Sequence, residues 1–379
     1  MISALSPLTY FHRNLGKTLP MVFVIMLSVT MVASVVSIID SIDLTVFTLY
    51  GYNRFLTGVT PRNGLAIEAD QLSKIRQLPE MGDFYPTHSY TVLVKTIFGK
   101  MPFPLFGMEA KGRAELLQRC HVHLSQGRLP AEGTAEAVVS DDVARNLDLK
   151  VGDIISQPNS QDAYAPVPVH LVGLLHGPVW VGLTTKSFVD ANSPFTWQGA
   201  LCFAPTTDQS AQRRLDAAIN RVTDKKLARV WQFSFLVEET RSALANLYLI
   251  LNLITTLVVF AIAFVCALLS NIYFTQRLPE VATLSAIGYS RRQLLGRAFG
   301  ETALLSVLGW GLGSLLTTGI LYIILNFMLT PRGLLLNPID PPAYMFTLPL
   351  PVAITLFAAL TIGRRLSTLD PVSIIERRG

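Results

Sequence analysis

Long stretches without a single charge alternate along this chain with stretches in which polar and apolar residues interleave. No charged residue occurs in 18–39, 242–276, 302–331 or 341–363. Crossing a bilayer core takes roughly 20 apolar residues in a helix. Backbone groups in lipid must be bonded within their own segment. The pattern therefore predicts four transmembrane helices, at 20–39, within 242–275, at 301–330 and at 344–363. The fold class it predicts is a membrane α-helical protein of one plus three spans, with a large α+β domain over 40–241. The second run is longer than a bilayer needs, so its start, "SALANLYL", reads as a helical stalk. A tilted helix or a loop is the rival reading.

Within 40–241 the periodicity changes. "IEADQLSKIRQLP" places Leu72, Ile75 and Leu78 three apart and predicts a short helix. "YTVLVKTIFG" alternates like a strand, with Val92, Val94 and Thr96 on one side. "DQSAQRRLDAAINRVTDKKL" gathers Leu215, Ala218, Ile219 and Val222 on one helical face, and "ARVWQFSFLV" after it reads as a strand. Two α-then-β units thus bracket the segment, suggesting two lobes. Between them "EAVVS" predicts a strand, "DDVARNLD" a short capped helix, "KVGDII" a turn into a strand and "VPVHLVGLL" a further strand.

Composition sharpens this picture. Half of the 379 residues are hydrophobic and only 15% are charged, against about a quarter charged in soluble domains. Lys and Arg collect beside the spans: Arg13 and Lys17, then Arg277, Arg291, Arg292 and Arg297, then Arg364, Arg365, Arg377 and Arg378. The loop at 331–343 holds only Arg332 and Asp340. By the positive-inside rule both termini, the link at 276–300 and the tail at 364–379 are cytoplasmic, and 40–241 is extracytoplasmic. The net charge of +5 is explained by these flanks and gives no support to nucleic-acid binding. The first run has a long polar lead and a poor cleavage site, so it reads as a retained span rather than a signal peptide. Residues 1–19, with Leu5, Leu8, Phe11 and Leu15 on one face, suggest an interfacial helix. A disordered lead is the rival reading.

Three elements resemble the FtsX/MacB-type family of ABC transporter permeases. "GRLPAEGTAEAVVSDDVARNLDLKVGD" is similar to a recurring element of the family's outer domain. "LSAIGYSRRQLL", with Glu301 entering the next span, resembles its link between spans two and three, and "LDPVSIIERRG" its short Asp-Pro ending. The resemblance implies a multi-pass bacterial inner-membrane subunit that works as a homodimer or a heterodimer with a related permease. A separate ABC ATPase would bind and hydrolyse ATP, with no cofactor held by this chain, and a periplasmic adaptor or outer partner is compatible with it. The activity implied is export or extraction of a hydrophobic or peptidic substrate by motion of the outer domain. An FtsX-like regulator of cell-wall hydrolases, or a receptor without an ATPase, are the alternatives.

The link "RLPEVATLSAIGYSRRQLLGRAFGE" then has a specific reading. Val281, Leu284 and Ile287 share a helical face, Glu280 complements the helix dipole, Gly288 caps the helix and Ser290 opens the next. A short helix along the membrane surface, a turn and a helix rising into span three would result. With the family resemblance, Glu280, Leu284, Ile287, Tyr289 and Arg291 are the candidate ATPase-coupling residues. The rival reading is a basic link that only sets topology. In "GWGLGSLL", Gly309 and Gly313 are candidates for close helix packing, against the ordinary enrichment of glycine in membrane helices.

Other features point to no chemistry. "CHVHL" puts His121 and His123 two apart, but no zinc spacing is present and ordinary strand histidines are favoured. Cys120 and Cys202 share the outer domain, and their pairing stays open. Trp180, Phe188, Phe195 and Trp197 could form a contact surface, though core packing is preferred. There is no GxxxxGK[ST], HExxH or GxSxG motif, so no catalytic, cofactor-binding or metal residue is assigned.

Overall fold

The computed structural model describes residues 15–97, 99–192 and 198–367. Most of the proposed interfacial helix, most of the tail, Phe195 and Trp197 lie outside these residues. The chain divides into two compact units. One is made of Met1–Ser41, Asn246–Ile324 and Leu336–Gly379, the other of Ile42–Ala245 and Leu325–Leu335.

Helix α1 (Leu15–Leu49) leads from the first unit into the second. A 3-10 turn at Gly51–Arg54 follows, then β1 (Thr57–Pro61), α2 (Ala69–Arg76), β2 (Phe84–Thr96), β3 (Gly99–Met108) and α3 (Ala110–Arg119). Next come β4 (His123–Gly127), β5 (Glu136–Ser140), α4 (Asp141–Leu147), β6 (Ile154–Ser156), β7 (Val169–His176) and β8 (Gly182–Thr185). The unit continues with α5 (Lys186–Asn192), β9 (Gly199–Cys202), α6 (Gln209–Val222), β10 (Ala228–Trp231) and α7 (Phe233–Ala243).

The ten strands form one sheet in the order β10-β1-β9-β2-β3-β8-β5-β7-β4, with β6 also on β7. The two expected lobes are thus joined, and β2 is the reason. Its first residues pair with β9, Phe84 opposite Cys202, and the rest with β3, from His88 opposite Gly107 to Thr96 opposite Gly99. A strand of 13 residues is long enough to serve both neighbours. On one face α2 and α6 bury Ile75, Leu215 and Ile219 against Val59 and Val230. A second cluster holds Val92, Val94, Phe103, Val139, Leu171, Trp180 and Phe188. Trp180 and Phe188 therefore pack the core, exposed by only 1% and 2%.

Prolines in β3 fit this topology. Neighbouring β8 reaches only Phe106–Met108, so Pro102 and Pro104 occupy a stretch paired on one side alone. A missing N–H costs little there. The predicted turn before β6 closes at Gly152, whose φ of 104° suits glycine, with its N–H on the Leu171 carbonyl at 2.7 Å.

One element differs from expectation. Of "ARVWQFSFLV" only Ala228–Trp231 is strand, and α7 begins at Phe233. Leu236 and Thr240, four apart, are buried, and Phe233 and Val237 pack beside Leu236. That is a helical face, which a short aromatic-rich run conceals.

The first unit contains α8 (Ala245–Ala286), α9 (Arg291–Ile324), α10 (Pro341–Thr347) and α11 (Pro349–Ser367). Among the described residues three helical stretches are long and apolar enough to cross a membrane: Thr18–Leu49, Ala245–Ile262 and Arg292–Arg332. A shorter apolar stretch covers Pro341–Phe357. The third run ends its α-helix at Ile324, not at 330, and passes through a π turn, Leu325–Leu329.

Candidate coupling site

The 42 residues of α8 make a rod about 63 Å long at ~1.5 Å per residue. The helix continues through Pro279 to Ala286, so the expected surface helix is the end of span two rather than a separate element. Termination comes at Gly288, whose φ of 104° few other residues tolerate. Tyr289 N–H reaches back to the Leu284 carbonyl at 3.2 Å, the six-to-one bond of a Schellman end.

Two residues later α9 opens on a reciprocal cap. Ser290 N–H donates to Gln293 Oε1 at 3.0 Å, and Gln293 N–H donates to Ser290 Oγ at 3.4 Å. This is the S-x-x-Q form of the capping box. One turn further, Arg297 Nε pairs with Glu301 Oε1 at 3.0 Å, and the Glu301 side chain is only 3% exposed. A stop and a start separated by two residues leave a tight corner. Ile287 sits on it 71% exposed, while Leu284 and Tyr289 are half-buried. The side chains of Glu280 and Arg291 lie outside the described residues.

Behind the corner, α9 packs on α1 through its glycines. A Cβ at Gly309 would stand 2.8 Å from Ile25 Cβ, and one at Gly313 2.8 Å from the Met26 carbonyl oxygen. Thr30 Oγ1 donates to the Gly313 carbonyl at 3.1 Å, a bond the bare backbone admits. On the other side Trp310 Nε1 donates to Thr347 Oγ1 at 2.9 Å, and Thr318 Oγ1 lies 2.6 Å from the Tyr344 hydroxyl. Polar bonds between apolar helices fix their rotation as well as their spacing.

Sequence reasoning missed a contact inside the α+β unit. Residues Leu325–Leu335 belong to that unit. There Asn146 of α4 bonds the Arg332 carbonyl, and Gly333 lies against the Asp142 carbonyl. The only signal was the Pro331-Arg332-Gly333 turn, which names no partner. His123 and His176 are cross-strand neighbours, and no group of three ligands that could hold a metal occurs among the described residues. His121 precedes β4 rather than lying on it. Cys120 and Cys202 are free and buried in different clusters.

Residues 252–371 match the FtsX-like permease C-terminal family. The matched segment includes the capped corner and both glycines, and is similar to that family over about a third of the chain. Three solved structures are similar to it. The periplasmic region of MacB from Actinobacillus actinomycetemcomitans is 11% identical, covering 49% of this chain and 92% of that one, with a TM-score of 0.30. The extracellular domain of the noncanonic ABC-type transporter YknZ from Gram-positive bacteria is 12% identical, covering 47% and 100%, with a TM-score of 0.28. A domain of a putative permease protein from Porphyromonas gingivalis is 13% identical, covering 48% and 90%, with a TM-score of 0.27. No curated protein matches the chain.

Proposed function

We propose that the chain is the permease subunit of an ABC transporter, spanning the inner membrane four times with 40–241 outside. It works as a dimer, and a separate ATPase docks on the corner between α8 and α9. Glu280, Leu284, Ile287, Tyr289 and Arg291 form the docking patch. Nucleotide-driven movement of the ATPase turns the two helices rooted there, and the outer domain moves to extract or export a hydrophobic or peptidic substrate.

The observation that carries this reading is Ile287, an apolar side chain 71% exposed on a corner that two caps hold rigid. A link serving topology alone needs charge but no stiff, apolar tip. The matched permease family supports the same reading.

A photo-crosslinking residue at Ile287 tests it in the native membrane. The expected product is one stoichiometric adduct with an ATP-hydrolysing subunit, identified by mass spectrometry, and weakened by a Glu280→Arg, Arg291→Glu double variant. Adducts with lipid alone, under several gentle extraction conditions, would remove the docking role. Whatever soluble protein purifies with the complex then separates transport from control of a cell-wall hydrolase.

A further inference from the structure

The sheet of the α+β unit carries a cavity of about 470 Å³ on one face. That falls in the range of roughly 300–1,000 Å³ typical of small-molecule sites. Its floor crosses five strands. β1 and β9 contribute Gly58 and Gly199, and β2 contributes Thr87, Ser89 and Thr91. The register sets Ser89 opposite Phe106 and Thr91 opposite Pro104. Short side chains keep the floor low. Tyr50, Tyr52, Phe106, Trp231 and Leu236 line the rest.

The two ends differ in character. Leu56 and Leu201 are exposed by 0% and 3%, so one end is closed and apolar. Thr91 and Pro102 are exposed, so the other end opens to solvent. Hydroxyls deeper in the cavity are engaged: Thr87 donates to the Gly107 carbonyl at 3.0 Å, and Thr60 accepts from Trp231 Nε1 at 2.7 Å. The hydroxyls of Ser89 and Thr91, towards the open end, bond no other group among the described residues. Burial pushes the Tyr50 phenol up to about 12, so it stays a neutral donor.

Among the described residues lining the cavity, none carries a charge. A charged ligand would lose its water there and find no counter-ion, which is costly. A peptide strand is disfavoured for a different reason. Peptides commonly bind by adding to a sheet edge, and the one-sided stretch of β3 beside this cavity has prolines at 102 and 104. We propose that the cavity binds a single-chain, uncharged amphiphile, its chain among Tyr52, Leu56 and Leu201 and its hydrogen-bonding head at Ser89 and Thr91.

The proposal does not depend on a docked ATPase. Its test uses the full chain in lipid nanodiscs washed free of detergent, because detergents are themselves single-chain amphiphiles. The probe is a long-chain alcohol bearing a diazirine near the middle of its chain. After photolysis and digestion, adducts are expected on the peptides containing Thr87 to Thr91 and Pro102 to Phe106, and excess monoacylglycerol should compete for them. Ser89→Trp, which fills the cavity, should lower those adducts about tenfold while labelling of the membrane helices stays constant. Thr91→Phe, at an exposed position, gives the same reading if the first variant fails to fold. Three results would overturn the proposal: labelled membrane helices with no cavity adducts, cavity adducts unchanged in the folded variants, or equal labelling by a probe with a phosphocholine head. Each leaves the crosslink at Ile287 unaffected, so the two ideas fail separately.

Discussion

Asn146 donates to the Arg332 carbonyl at 3.0 Å while its amide also holds both backbone groups of Lys95, accepting from N at 2.7 Å and donating to O at 2.8 Å. One side chain, 2% exposed, thereby ties β2, α4 and the segment after the third apolar run. Gly333 completes the tie. Its φ is 61°, and a Cβ there would fall 2.1 Å from the Asp142 carbonyl oxygen.

Replacing Asn146 by Ala should release this segment. Three part-buried backbone groups would lose their partner, at about 1 kcal/mol for each bond lost. Amide hydrogen exchange over 330–335 should accelerate by more than tenfold in Asn146→Ala. Gly333→Ala should do the same, because backbone rather than a flexible side chain blocks the new methyl group. Unchanged protection in both variants would mean that the segment is held by something else.

The glycines of α9 should separate by position. Gly309→Val and Gly313→Val force Ile25, Met26 and Val29 apart and should lower thermal stability of the purified protein by several degrees, in line with overpacking costs of about 1–3 kcal/mol. Gly311→Ala, with nothing within 4 Å of the added methyl, should be neutral or slightly stabilising. Equal effects at all three positions would contradict the packing on α1.

Acid stability should report on Glu136. Arg128 donates to both carboxylate oxygens, and Ala131 N–H adds a bond at 3.0 Å. Chiefly through the Arg128 bonds, the pKa falls from 4.5 to about 2. A depressed folded value means that the stabilisation is complete above the unfolded value near 4.5 and is lost as pH drops towards 2. Melting temperatures taken between pH 5 and 2.5 should therefore decline less steeply in Glu136→Gln than in the parent, from a lower starting point (pH limits set at about the two pKa values). Parallel declines would show that the pair is idle.

Thiol chemistry offers a probe of the same unit. Burial pushes both Cys120 and Cys202 up to about 12, so neither is a thiolate at neutral pH. A maleimide at pH 7.5 should leave both unmodified in the native protein and modify both in denaturant (a pH about one unit below an ordinary thiol pKa). Modification of either in the native state would place it at a surface.

Local pattern carried a good deal of this structure. The order strand, helix, turn, strand over Glu136–Ser140, Asp141–Leu147 and Ile154–Ser156 follows from residues within a few positions of one another. Gly288 and Ser290 were legible for the same reason, since caps are local hydrogen bonds. The reading failed where a local signal was shared by two outcomes. The link read as a separate surface helix, yet α8 runs on through Pro279 to Ala286, and "VWQFSFLV" satisfies a strand pattern and a helical face alike. Long-range pairings were invisible. Nothing near Asn146 names Arg332, and no single strand reveals that Gly58, Ser89, Gly199 and Trp231 will line one cavity.

The discontinuous make-up of the α+β unit also sets a timetable for biosynthesis. Chains fold largely from the N-terminus as they are made, yet Leu325–Leu335 is made only after all of α8 and α9. Until then Asn146 lacks its Arg332 partner and the Asp142 carbonyl its covering glycine. The domain is finished only when the third apolar stretch has been synthesised, so its last tie waits for a residue made 186 positions after Asn146.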